Sequence, residues 1–134
     1  MKNAIFILLA IATVLSCTPK DGGHSENDAL VGKWKLTAQL MDIGDGSGTF
    51  NPVVSEKTIE FLADGSVTSN GSLCQMTDQP EQATKGTYAT NDLTISPTDC
   101  STNGHKIFYE LKNSELIISY PCIEPCRHKY VKVN

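Results

Sequence analysis

The chain has 134 residues, with 15 acidic side chains against 11 basic ones and a formal charge of −4. That length accommodates one domain, and the acidic balance argues against a nucleic-acid partner and against electrostatic docking on anionic lipid. Five cysteines in so short a chain raise the question of an oxidising compartment.

Met1 and Lys2 form a short positive start, and residues 4–15 are apolar apart from Thr13. Twelve residues are too few to span a bilayer as a helix, so residues 1–16 read as a secretory signal peptide. The segment ends Val14-Leu15-Ser16-Cys17, which resembles a bacterial lipobox, with Leu15 bulkier than the small residue usual at its position. The resemblance implies that Cys17 becomes the lipidated first residue of the mature chain, carrying acyl groups such as palmitate. The plainer alternative is a signal peptide cut near Ser16 that leaves Cys17 as an odd thiol. Setting Cys17 aside leaves Cys74, Cys100, Cys122 and Cys126, an even set that suggests two disulfides. Cleavage before Cys17 removes Lys2 and no acid, leaving 10 bases against 15 acids, a charge of −5. Membrane attachment must then come from the lipid, which holds stably with more than one acyl chain. Residues 17–29 carry no aromatic or branched aliphatic side chain and read as a flexible tether. Lys20 and Asp21 are similar to the tether of surface lipoproteins of the Bacteroidota, although the second acid expected after Asp21 is missing. An outer-membrane location follows from that resemblance, with the leaflet left open.

The domain expected over 30–134 begins with a strand at 30–40, where Trp34, Leu36, Ala38 and Leu40 alternate with Lys33, Lys35, Thr37 and Gln39. Further strands are predicted at 57–62, 66–69, 84–89, 93–96, 106–111, 115–120 and 128–133, and no stretch of the mature chain has a helical period. Asp64-Gly65 is a strong hairpin signal, because both residues tolerate positive φ. The connections after the second, fourth and sixth strands are tight, while those after the first, third, fifth and seventh are long. In an antiparallel meander this places every tight turn at one end and every long loop at the other, the shape of a cup. All four remaining cysteines fall in long loops and so converge on the mouth. Cys122 with Cys126 and Cys74 with Cys100 is one pairing, and crossed pairing is nearly as plausible.

Gly32-x-Trp34 at the start of the first strand, the strand spacing, and Tyr120-Pro-Cys122-Ile-Glu-Pro-Cys126 before a closing strand together resemble the lipocalin-like domain of Bacteroidota lipoproteins. The resemblance implies an all-β fold: a small eight-stranded antiparallel up-and-down barrel with Trp34 plugging one end and Gly32 letting the backbone pass close by. It further implies an envelope-anchored protein that binds a small hydrophobic or amphipathic ligand. The alternative is a filled barrel that acts as a protein-interaction or inhibitor module through its stapled loops.

Leu40, Tyr88, Ile95 and Tyr120 are the candidate ligand-lining residues, taken as the inward positions nearest the mouth. Asp42-Ile-Gly-Asp-Gly-Ser-Gly48 has the look of a calcium loop, but the frame set by Gly46 puts Met41 and Pro52 where carboxylates are needed. Its glycines suggest a mobile flap instead. Cys122, Cys126 and His128 could ligate a soft metal, but disulfide formation competes for both thiols, so no metal and no cofactor is expected. No nucleophile elbow or interpretable carboxylate pair is present, and the chain is expected not to be an enzyme.

Overall fold

A computed structural model describes residues 26–98, 100 and 106–134. The signal segment, Cys17 and the tether up to residue 25 lie outside the described residues. The described residues open with α1 (Glu26–Leu30), followed by β1 (Gly32–Met41), β2 (Asn51–Pro52), β3 (Thr58–Phe61) and β4 (Ser66–Ser69). Then come β5 (Thr84–Ala89), β6 (Thr94–Pro97), β7 (Ile107–Lys112), β8 (Glu115–Ser119) and β9 (Cys126–Val133). Omitting β2, each strand pairs antiparallel with the next, and β1 pairs β9 to close an eight-stranded barrel. Closure leaves the meander without a free edge.

The two ends differ as the loop lengths imply. Three tight turns share the base. Asp64-Gly65 uses φ of +87° at the glycine, and Asn113 and Ser114 both adopt positive φ, as a two-residue hairpin whose twist matches its strands requires. The long connections share the mouth and carry both disulfides, Cys74–Cys100 and Cys122–Cys126.

Two elements depart from the sequence reading. β2 is a two-residue rung, pairing Asn51 and Pro52 with Gln39 and Ala38 of β1. It is too short to show an alternation. Residues 26–30, expected as tether and strand start, instead form one helical turn docked across the base. Its last carbonyls are satisfied from outside: Trp34 Nε1 donates to the Leu30 carbonyl at 2.9 Å, and Lys132 Nζ donates to that of Ala29 at 2.8 Å. Gly32, at φ +130°, turns the chain from this helix into β1, and a Cβ there would lie 2.8 Å from Lys132 Cε. Gly32 and Trp34 thus form the joint between α1 and the barrel.

The interior is built from one face of the alternating strands, with Trp34, Leu36, Ile59, Phe61, Val67, Ile95, Ile107, Leu116 and Ile118 each at most 2% exposed. Leu40, Tyr88 and Leu111 are half-buried. Leu93, expected to open the strand at 93–96, instead sits in the β5–β6 turn at φ +54° and is 39% exposed. Lys57, Leu73, His128 and Tyr130 are the additions. β9 begins at Cys126, earlier than the expected 128, and its alternation aims Cys126, His128 and Tyr130 inward.

Candidate functional site

The four candidate lining residues do not form one site. Leu40, in β1, and Tyr120, just past the end of β8, lie near the mouth on either side of the start of β9. Tyr88 and Ile95 are direct cross-strand partners well below it. β5 runs from mouth to base, so a residue late in that strand lies far from the rim, which corrects the expectation for Tyr88. Ile95, fully buried, also pairs Ile107 and belongs to the core. The tyrosine hydroxyls have protein partners. Tyr88 donates to the Leu62 carbonyl at 2.7 Å and sets its ring edge-on to Phe61, while Tyr120 meets His128.

The base offers clefts beside α1. One of about 150 Å³ lies beneath Leu30, between Leu93, Thr90, Tyr109, Glu110 and Leu111. Its lining is chiefly apolar, and Leu93 reaches it from a left-handed backbone that leucine rarely adopts. A wider, more polar cleft of about 640 Å³ opens on another side of the helix, with Asp28, Asp64 and Tyr88 on its walls.

The mouth is roofed. Leu73, in the loop between β4 and β5, is 2% exposed and joins the core, with Met76 packed against it. Beneath that loop Lys57 is fully buried, and its ammonium donates to the carbonyls of Ser72 and Thr77 at 2.8 Å each. The Ser55 hydroxyl donates to the Asp78 carbonyl, and the Cys74–Cys100 bridge ties the loop to the next one. Burial pushes the Lys57 amine down to about 8, against the opposing pull of Glu81 and Asp78.

Deeper in the same half, the hydroxyls of Tyr120 and Tyr130 lie 3.2 and 3.3 Å from His128 Nδ1. Burial, reinforced by the charge of Lys57, pushes His128 down to about 3, so the ring is neutral. Burial holds Tyr120 up at about 12 and Tyr130 well above its ordinary value. Sequence reasoning passed over this group, although Cys126, His128 and Tyr130 repeat at a period of two.

The glycine loop is wound about one side chain rather than hanging as a flap. The Asp42 carboxylate accepts the amides of Gly44, Gly46 and Gly48 at 2.7 to 3.1 Å, which hold its pKa low. Asp42 N donates to the Pro125 carbonyl at 2.9 Å, joining this loop to the Cys122–Cys126 ring. Met41, Ile43 and Ile123 stand exposed on the resulting rim. The sulfurs of Cys122 and Cys126 are bonded to one another, so they offer His128 no thiolate partner for a metal.

A family model described as a lipocalin-like domain matches residues 30–123. No curated protein and no solved structure matches the chain. The matched stretch runs from the helix–barrel joint through β8, the closed antiparallel barrel agrees with it, and the chain belongs to the lipocalin-like domain family.

Proposed function

We propose that this chain is an envelope lipoprotein, lipidated at Cys17 and held at the outer membrane, whose barrel binds a small hydrophobic or amphipathic molecule without catalysing a reaction on it. The observation that carries the binding reading is the apolar cleft of about 150 Å³ beneath α1. A cavity of that order accepts a guest the size of benzene, so the site suits a compact apolar group or the end of an alkyl chain. Leu93 supports the assignment, because a leucine at φ +54° costs of order 1–3 kcal/mol, and such strain gathers where a surface is shaped for binding. The roof is also removable in principle, being a single turn held by Leu30 and two side-chain bonds. The described chain begins at the base, so a lipid on Cys17 would attach through residues 18–25 to the end of the barrel that carries this cleft.

The test is a titration with a fluorescent apolar probe, followed by displacement with alkanols and fatty acids of increasing length. Saturable binding, lost when Leu111→Trp fills the cleft, is the expected result. Equal binding by wild type and a folded Leu111→Trp protein would remove the cleft from consideration. Incorporation of labelled palmitate into wild type and not into Cys17→Ala tests the anchor.

A second reading, a protein-interaction module, is favoured by Met41, Ile43 and Ile123, exposed together on a rim stiffened by Asp42 and a disulfide. Ile43→Glu combined with Ile123→Glu should abolish capture of a partner while leaving probe binding unchanged.

A further inference from the structure

The rim of the mouth puts apolar side chains in water and fixes them there. Met41, Ile43 and Ile123 are 65%, 84% and 101% exposed. Their two segments touch. Met41 is the cross-strand partner of Cys126, Asp42 N donates to the Pro125 carbonyl at 2.9 Å, and a Cβ placed on Gly44 would lie 3.0 Å from the Glu124 carboxylate. Neither segment is free to fold its apolar side chains away. Three amides bound to the Asp42 carboxylate wind the first, and the Cys122–Cys126 bridge closes the second into a small ring. A rigid exposed apolar patch gains by being covered, and it has already lost much of the conformational freedom that association removes.

Charge decides what can cover it. Residues 41–48 contain Asp42 and Asp45, residues 121–126 contain Glu124, and neither segment contains a base. The roof loop at the same end of the barrel, residues 70–83, adds Asp78 and Glu81 and again no base. Lys57 lies fully buried beneath that roof, and Arg127 is the first base beyond the ring. Hydrogen bonds keep the rim acids ionised: backbone amides, that of Gly48 foremost, hold Asp42 low, and the Ser47 hydroxyl and amide hold Asp45 low. A second copy of this chain would bring the same carboxylates face to face. A surface of anionic phospholipid headgroups would be repelled for the same reason. A protein whose apolar patch is bordered by lysine or arginine is attracted instead.

Building on the reading of the mouth as a protein-interaction surface, we propose that the rim formed by Met41, Ile43 and Ile123 docks a basic protein, which buries an apolar side chain among these three and sets lysine or arginine against Asp45 and Glu124. Asp42 is occupied by its own loop, whereas Asp45 and Glu124 are exposed on either side of the contact between the two segments. The apolar trio supplies the area to be covered, and the carboxylates select which protein covers it.

The experiment follows the fluorescence anisotropy of three labelled helical peptides of one design, titrated with the disulfide-bonded protein. One peptide has a leucine face flanked by lysines, one has glutamates in place of the lysines, and one has serines in place of the leucines. The lysine–leucine peptide should bind about tenfold more tightly than either of the others. It should weaken about threefold when ionic strength rises from about 0.01 to about 0.1 M, as the screening length falls from about 30 to about 10 Å. Ile43→Ser with Ile123→Ser should weaken it about tenfold. Glu124→Gln should weaken it about threefold, while Glu60→Gln, a matched neutralisation opposite Lys33 near the base, should leave it unchanged. Equal binding of the glutamate peptide, indifference to ionic strength, or equal losses in Glu124→Gln and Glu60→Gln would overturn the basic partner while leaving the rim a docking surface. Normal binding by a folded Ile43→Ser, Ile123→Ser protein, or no binding of the lysine–leucine peptide, would remove the docking surface itself. A dimer in sedimentation equilibrium that the serine pair abolishes would assign the rim to a second copy and overturn the proposal as well.

Discussion

Lys57 is a fully buried amine, and its titration tests how the mouth is closed. Its ammonium bonds to two carbonyls, yet burial still holds its pKa at about 8, against 10.5 for an ordinary lysine. Below about pH 8 folded and unfolded chains both carry the proton, and the folded state bears the whole desolvation cost. Between about 8 and 10.5 the unfolded chain holds a proton that the folded chain has shed. Stability therefore rises with pH through that window, the reverse of what a lysine in a favourable ion pair produces. From pH 7 to about pH 9.5 the linkage amounts to about 2 kcal/mol. The upper limit stays below the range, near 10, where tyrosines of the unfolded chain ionise. Urea unfolding of the disulfide-intact protein at both pH values, for wild type and Lys57→Met, isolates the effect. Wild type should gain about 2 kcal/mol on the variant at the higher pH. A difference between the two proteins that is the same at both pH values would show that the amine is solvated and that the loop does not seal over it.

Gly86→Ala would place a Cβ 2.5 Å from the Ser96 carbonyl oxygen and 2.8 Å from Pro97 Cα. The rigid strand neighbour makes this an overpacking change of about 1–3 kcal/mol, read as a fall in melting temperature. Removing the Cys74–Cys100 bridge, which closes a separation of 26 residues, should cost about 3.5 kcal/mol, and removing Cys122–Cys126, at a separation of 4, about 2 kcal/mol; chemical denaturation of the paired alanine variants ranks them. Leu30→Ala should cost about 2–5 kcal/mol and release α1, visible as faster hydrogen exchange at the base. His128, pushed down to about 3 when folded against 6.5 when unfolded, makes wild type lose stability as pH falls below about 6.5, because the unfolded chain takes the proton first. His128→Phe should flatten that part of the acid limb in pH-dependent unfolding.

Strand positions were readable because buried and wet faces alternate, and the barrel's polarity was readable from loop lengths alone. The site was less so. Lys57 shares the phase of Ile59 and Phe61, so its inward aim is in the pattern, but its burial depends on carbonyls of Ser72 and Thr77 in a distant loop. No local pattern records that. β9 hid its inner face because Cys126, His128 and Tyr130 are not aliphatic, and a cysteine near a histidine suggests ligands before it suggests core. α1 escaped notice because its polar residues look like tether, and what holds it is tertiary: Leu30 in the core, with Trp34 and Lys132 on its last carbonyls. Tyr88 was misplaced by direction, since strand order was used to sort the loops but not to decide which end of β5 carries the ring.

The joint at the base also makes the molecule self-reporting. Trp34 is the sole tryptophan, it is 2% exposed, its N–H is engaged by Leu30, and the Lys132 ammonium sits 5.5 Å from its ring centre. Lifting α1 would strip the indole of its hydrogen-bond acceptor and let water reach it, reddening its emission. Intrinsic fluorescence of the native chain, with no label attached, is thus a direct optical gauge of whether the helix is seated.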